Sequence, residues 1–121
     1  MAKQFNFNAI LKAVKYAENK LLDDVVSDLN QEYVPYDTGA LADSVYKTYE
    51  PTSSAKYTSS YAEYAFNSYT PSGKPKNYNQ SHNPKAGGEP IERCLSDNKE
   101  KYDQLLNNYL EEGLRKYEFT D

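Results

Sequence analysis

The chain reads as an α+β fold: a long N-terminal helix, a small antiparallel sheet, a long polar loop and a C-terminal helix packed on the sheet. Three observations predict it. Apolar residues recur at three-and-four spacing near both ends of the chain. Between them, Ser44 to Phe66 is rich in Tyr, Ser, Thr and Val, a composition that suits strands. Residues 67–90 are dense in Pro, Gly, Asn and Ser and interrupt both patterns.

The first helix is expected over residues 6–32. Phe7, Ile10, Leu11, Val14, Ala17, Leu21, Leu22, Val25 and Leu29 form one stripe, taken here as the buried face. Lys12, Lys15, Glu18, Asn19, Lys20, Asp23 and Asp24 fall between them as a solvated face. Pro35 stops the helix, because the residue before proline is driven out of helical geometry.

The stretch VPYDTGALADSV, residues 34–45, follows. Pro35 fixes φ and opens a turn. Asp37 can bond backbone N–H groups two or three residues ahead, as an Asx turn or a helix N-cap does. Gly39 can take a positive φ or admit a close backbone approach. Leu41 and Val45, four apart, anchor one short helical turn that leads into the first strand. Pro35, Asp37, Thr38, Gly39, Leu41 and Ser44 are therefore assigned as a structural motif, the hinge between helix and sheet.

One strand is expected at about 43–50 and its partner at about 55–60, with Glu50-Pro-Thr-Ser-Ser54 as the connection. The run Tyr61-Ala-Glu-Tyr-Ala-Phe66 fits either a helical turn or an edge strand. Residues 67–90 have a composition that cannot bury a core, and so read as an extended assembly loop. Pro90 then suits the first turn of a last helix whose stripe runs through Ile91, Leu95, Tyr102, Leu105, Leu106, Tyr109, Leu110, Leu114 and Tyr117. Gly113 weakens that helix near its end.

At 121 residues the chain fits a single domain, 1–121, with a modest core. Hydrophobic content is 38% and mean hydropathy −0.94, low for an isolated globule, while there are 13 tyrosines and no tryptophan. Tyrosine offers large contact area with a polar tip, so this composition predicts aromatic surface buried against partners. A net charge of −4 argues against a nucleic-acid reader, although not against a protein that lets nucleic acid pass. The single cysteine, Cys94, cannot form an internal disulfide and suits a reducing compartment. No apolar run has signal-peptide or membrane-span length, so a soluble protein made in a cytoplasm is expected.

Candidate chemistry is sparse. His82 and Cys94 are single residues without a second pair at ligand spacing, so no metal or other cofactor is expected. Asp37 with Thr38 or Ser44 has no histidine nearby to act as base. Asp23-Asp24 and Glu111-Glu112 sit on solvated helix faces. Gly87-Gly88 precedes a helix start, but Glu89 stands where a phosphate would. Lys74, Lys76 and Lys85 give the loop local positive character. No catalytic residue is assigned.

The core P-x-D-T-G-x-L-x-x-S at Pro35–Ser44 is followed by Y-A-x-Y at Tyr61–Tyr64, a loop with His82-Asn83-Pro84, and a helix opening near Glu89. This order resembles the small minor capsid, neck and tail-completion proteins of tailed bacteriophages, over most of the chain. The DTG triplet alone also occurs in aspartic proteases, but there an apolar strand precedes it, whereas here a polar helix end does. The phage family often carries a glycine after Y-A-x-Y, where this chain has Asn67 and Ser68. The resemblance implies a structural virion protein without catalytic residues. It would form a ring, a hexamer or dodecamer, in the neck or connector that joins the capsid portal to the tail. Its other partners would be head-closure or adaptor proteins and tail-terminator or tail-tube proteins. DNA would pass through the lumen without specific binding, with no membrane involved. Assembly would occur in the host bacterial cytoplasm, and Tyr61, Tyr64, Tyr69, Tyr78 and His82 are the expected inter-subunit contacts. The competing expectation is a small acidic adaptor or inhibitor that binds a host protein, and a third class is a hydrolase using Asp37.

Overall fold

The computed structural model describes residues 4–36 and 39–117. The fold is α+β: helices α1 (Phe7–Asp28), α2 (Ala40–Asp43), α3 (Ala62–Phe66), α4 (Pro90–Asp97) and α5 (Lys99–Tyr117), with strands β1 (Val45–Thr48) and β2 (Ser54–Tyr57). The chain divides into two compact units, with boundaries after Asp23 and after Asp97.

The first unit pairs the start of α1 with α5. Asn6 caps α1, its side chain accepting a hydrogen bond from the Ala9 N–H at 3.3 Å. The face of α1 buried here consists of Ala9, Ala13 and Ala17. Opposite Ala13, α5 contributes the buried Gly113. Small side chains on both helices let the backbones approach closely. Tyr16 donates a hydrogen bond from its hydroxyl to Glu112 Oε1 at 3.1 Å and meets the Tyr117 ring edge-on at 6.5 Å. The expected buried stripe is therefore corrected at its N-terminal end: Phe7 is 62% exposed and Leu11 52%, with Val14 also exposed. Periodicity located the helix, but the alanine face is the one that packs. Gly113, expected as a weak point of the last helix, is a packing residue.

The second unit takes in the last residues of α1, which then widens into a π-turn at Leu29–Tyr33, closed by Val34 N–H donating to Leu29 O at 2.8 Å. Helix ends leave carbonyls without intrahelical partners, and here residues from the long loop supply the donors. Asn83 Nδ2 donates to Asn30 O at 3.1 Å and to Val34 O at 2.6 Å, and the Lys85 N–H donates to Glu32 O at 2.9 Å. Tyr33 and Val34 are fully buried, as is Asn83 at 1% exposure, and Ala86 joins them. The expectation that residues 67–90 bury no core thus fails at Asn83, Ala86 and Pro90. Most of the loop's residues are exposed or half-buried.

The strands are shorter than expected, four residues each, paired antiparallel with Val45 opposite Tyr57 and Thr48 opposite Ser54. Their connection contains a cis Glu50–Pro51 peptide bond. Tyr61–Phe66 resolves as the helical alternative, α3. The expected last helix is broken at Asn98 into α4, in the unit of the sheet, and α5, in the unit of α1. Gly88 passes so close to Ser68 that an added Cβ would lie 2.6 Å from the Ser68 Cα, so this crossing requires glycine. Glu89 beside it has a positive φ of 46° and closes the turn, its N–H donating to Phe66 O at 2.7 Å.

Candidate functional site

The hinge builds the floor of a cleft. Gly39 takes φ +85°, which releases the chain from Pro35 into α2. The positive φ favours glycine there, and a side chain would also crowd the Tyr36 ring, 3.3 Å from its Cβ. Leu41 is buried, and Ser44 donates from Oγ to Leu41 O at 2.7 Å, ending the turn. The Ser44 carbonyl accepts from the Thr58 N–H and hydroxyl at 3.0 and 2.7 Å, tying α2 to the end of β2. Asp37 and Thr38 lie outside the described residues.

One wall is α3 with the residue before it. Tyr61 is 58% exposed and Tyr64 42%, their rings 5.3 Å apart and tilted by 41°. Ala62 and Ala65 fill the inner face, so the phenols are held outward on a short helix fixed from beneath. The Tyr57 and Phe66 rings meet edge-on at 5.2 Å. Tyr57 donates to Asn30 Oδ1 at 2.5 Å, and its phenol is pushed well above the ordinary range, first by burial and then by Cys94.

The other wall is the first part of the long loop, which turns back as a small hairpin. Tyr69 bridges Pro75, and the Thr70 N–H donates to Lys74 O at 2.8 Å. The Lys76 N–H donates to Ser68 O at 3.0 Å, which brings its ammonium 3.7 Å above the Tyr64 ring and into a hydrogen bond with Tyr64 O. The Tyr78 hydroxyl points at Asn67 O, 2.7 Å away, and Ala65 O, 3.0 Å away. Burial, followed by the Glu89 charge, raises the Tyr78 phenol pKa.

These three pieces enclose a cleft of about 640 Å³, lined among others by Pro35, Tyr36, Leu41, Tyr61, Tyr64 and Tyr78. Its size lies within the range of ligand and peptide clefts. Lys76 is the one charged side chain among its described lining residues, and it is spent on Tyr64. Phenol faces, hydroxyls and the amides of Asn77 and Asn79 are recognition groups: they stack and hydrogen-bond. Such groups can bind a small ligand or a surface of another chain.

Of the expected contact residues, the fold brings Tyr61, Tyr64 and Tyr78 to this cleft, together with Pro35 and Leu41 of the hinge motif. Tyr69 is exposed but does not line it. His82 is exposed and stacks on Tyr36 at 3.6 Å with rings 20° from parallel, so it braces the hinge side of the cleft from behind. Sequence reasoning missed Tyr36, Lys76 and Asn83. Tyr36 and Lys76 stood in plain view within the hinge motif and the loop, but nothing local marks their partners. Cys94 is fully buried, and no group of three or more His, Cys, Asp or Glu among the described residues is placed to hold a metal ion. No described helix is long and apolar enough to cross a membrane.

No protein-family model matches the chain, and neither a curated protein nor a solved structure matches it.

Proposed function

We propose that this chain is a structural virion protein of a tailed phage, a ring-forming subunit of the neck or connector between capsid portal and tail. The observation that carries the reading is the tyrosine-lined cleft. Pro35 and Leu41 of the first motif and Tyr61 and Tyr64 of the second line it, and the two tyrosines hold their phenols outward rather than in a core. In a ring each subunit presents one face to a different face of its neighbour. Exposed Tyr61 and Tyr64 are the groups through which a neighbour gains contact area without a strongly apolar monomer surface. The acidic chain lines the passage, where like charge lets DNA slide without adhering. The role is assembly, with no catalytic step.

The test is a deletion in the phage that encodes the chain, with cryo-EM of wild-type particles. The expected result is a ring of this protein between portal and tail, and full heads and free tails that stay unjoined in its absence. Joined virions lacking the protein would overturn the reading. So would its absence from virions combined with a stoichiometric complex with one host protein.

A further inference from the structure

We propose that the tyrosine-lined cleft is a polyproline II site: what enters it is an extended, uncharged, proline-bearing segment of another protein. This rests on the reading that a neighbouring chain contacts the cleft, and it specifies the backbone form and chemistry of the part that enters. A polypeptide can be gripped as an added strand, as a helix or as a polyproline helix. The lining separates the three.

An added strand needs a row of free backbone groups along one wall. Neither β1 nor β2 lines the cleft. On the hairpin wall the Thr70 and Lys76 N–H groups already donate to Lys74 O and Ser68 O, and Pro75 has no N–H. A docked helix needs the opposite, an apolar trough, because its backbone is satisfied internally and it offers an apolar stripe. Here Ser59, Asn77 and Asn79 stand among the rings. Pressed beneath an apolar stripe, their polar groups would be left unpaired.

A polyproline II segment suits both halves of this lining. Its backbone makes no internal hydrogen bonds, so its carbonyls accept from outside, while its prolines bring no N–H that needs an acceptor. The lining residues carry donors without a partner among the described residues: the Tyr61 and Tyr64 hydroxyls and the Asn77 and Asn79 amide nitrogens. Asn79 is engaged only through Oδ1, which accepts from the Ser81 N–H at 2.9 Å. Flat pyrrolidine rings pack on aromatic faces, and Tyr36, Tyr61, Tyr64 and Tyr78 all line the cleft. Tyr64 keeps 42% exposure even with Lys76 over its ring. Lys76, the one charged side chain of the described lining, is held by Tyr64, so the site favours an uncharged stretch over a phosphorylated or acidic one. The segment is extended before it binds, which keeps the ordering cost low.

The experiment titrates the isotopically labelled whole chain and follows it by heteronuclear NMR. The probes are an acetylated, amidated proline decamer and a peptide of repeated Pro-Ala-Ala. A glycine–serine peptide, an alanine-rich helical peptide and a neutral maltooligosaccharide serve as competitors for the assignment. At least one proline probe is expected to shift the amides of residues 61–67 and 77–79 with Kd below about 1 mM, while the other three leave them in place. Tyr61→Ala should raise that Kd by about fivefold or more without moving the thermal midpoint, and Tyr61→Phe, which keeps the ring, should raise it less. No shift with either proline probe, a stronger response to the helical peptide or the sugar, or an unchanged Kd in Tyr61→Ala overturns the inference. Cryo-EM of the virion separates it from the ring reading. A ring whose cleft holds a neighbour's helix or strand overturns the proline site and leaves the ring standing. Proline binding by a protein absent from virions leaves the site standing and removes the ring.

Discussion

Gly113 of α5 rests directly on the backbone of Ala13 in α1: a Cβ on Gly113 would lie 2.8 Å from the Ala13 carbonyl oxygen and 2.9 Å from its Cα. Helix propensity alone favours alanine over glycine inside a helix by about 1 kcal/mol. Here the added methyl meets backbone, which cannot rotate aside. Gly113→Ala is therefore expected to destabilise the protein, by about 1–3 kcal/mol as overpacked sites do. Urea denaturation checks the sign, and a higher midpoint for the variant would show that the two helices do not pack at this point.

Asn83 joins the long loop to the end of the first helix through two carbonyls, at 2.6 and 3.1 Å. Removing a donor from buried acceptors costs about 1–3 kcal/mol for each group left unmade. Asn83→Ala is expected to lose at least about 2 kcal/mol. Asn83→Asp keeps the shape but turns an oxygen toward two carbonyl oxygens, so at neutral pH it is expected to be no better than alanine. Denaturation midpoints of the three proteins give the order. An aspartate variant as stable as wild type would remove Asn83 from the core.

These two residues show what was legible in the sequence and what was not. The extent of α1, the hinge at Pro35–Ser44 and the α+β order follow from local signals: periodicity, a proline stop, a glycine turn. Which face of α1 is buried does not, because periodicity scores Phe7 and Leu11 above Ala13, while close helix approach rewards the smaller residue. Asn83 looked like one more polar loop residue, since its acceptors lie 53 and 49 residues away. The cleft was half legible. Tyr61, Tyr64 and the hinge were marked by motif, but Lys76 over Tyr64 and His82 on Tyr36 exist only once the loop has folded back.

Tyr57 predicts a pH dependence. Burial holds its phenol protonated above its ordinary pKa, so in alkali the unfolded chain releases this proton before the folded one does. Folding stability is then fully present below the unfolded value of about 10 and falls as pH rises past it. The direction at Tyr16 and Tyr78 is the same, with burial again the first cause. Tyr57→Phe loses the hydrogen bond to Asn30, about 1 kcal/mol at neutral pH. It also loses the Tyr57 share of the alkaline slope. The gap between wild type and variant should therefore narrow above about pH 10. A gap of constant size from neutral to alkaline pH would place the phenol in solvent.

Tyr61 and Tyr78 both line the cleft, yet their environments assign them different work. Tyr61 is mostly exposed, its ring meeting that of Tyr64. Tyr78 spends its hydroxyl on the carbonyls that end α3. Tyr61→Ala should leave stability within about 0.5 kcal/mol of wild type, as exposed substitutions do. If the cleft receives a neighbouring subunit, that same change should sharply reduce the joining of heads to tails. Tyr78→Phe should cost about 1 kcal/mol of stability through the lost hydrogen bond. It keeps the ring in place, so particles assembled at permissive temperature should join normally. Thermal denaturation and counts of joined particles separate the two effects. If Tyr61→Ala folds and assembles like wild type, the exposed phenol has no partner in the virion, and the cleft must be assigned to something other than ring contacts.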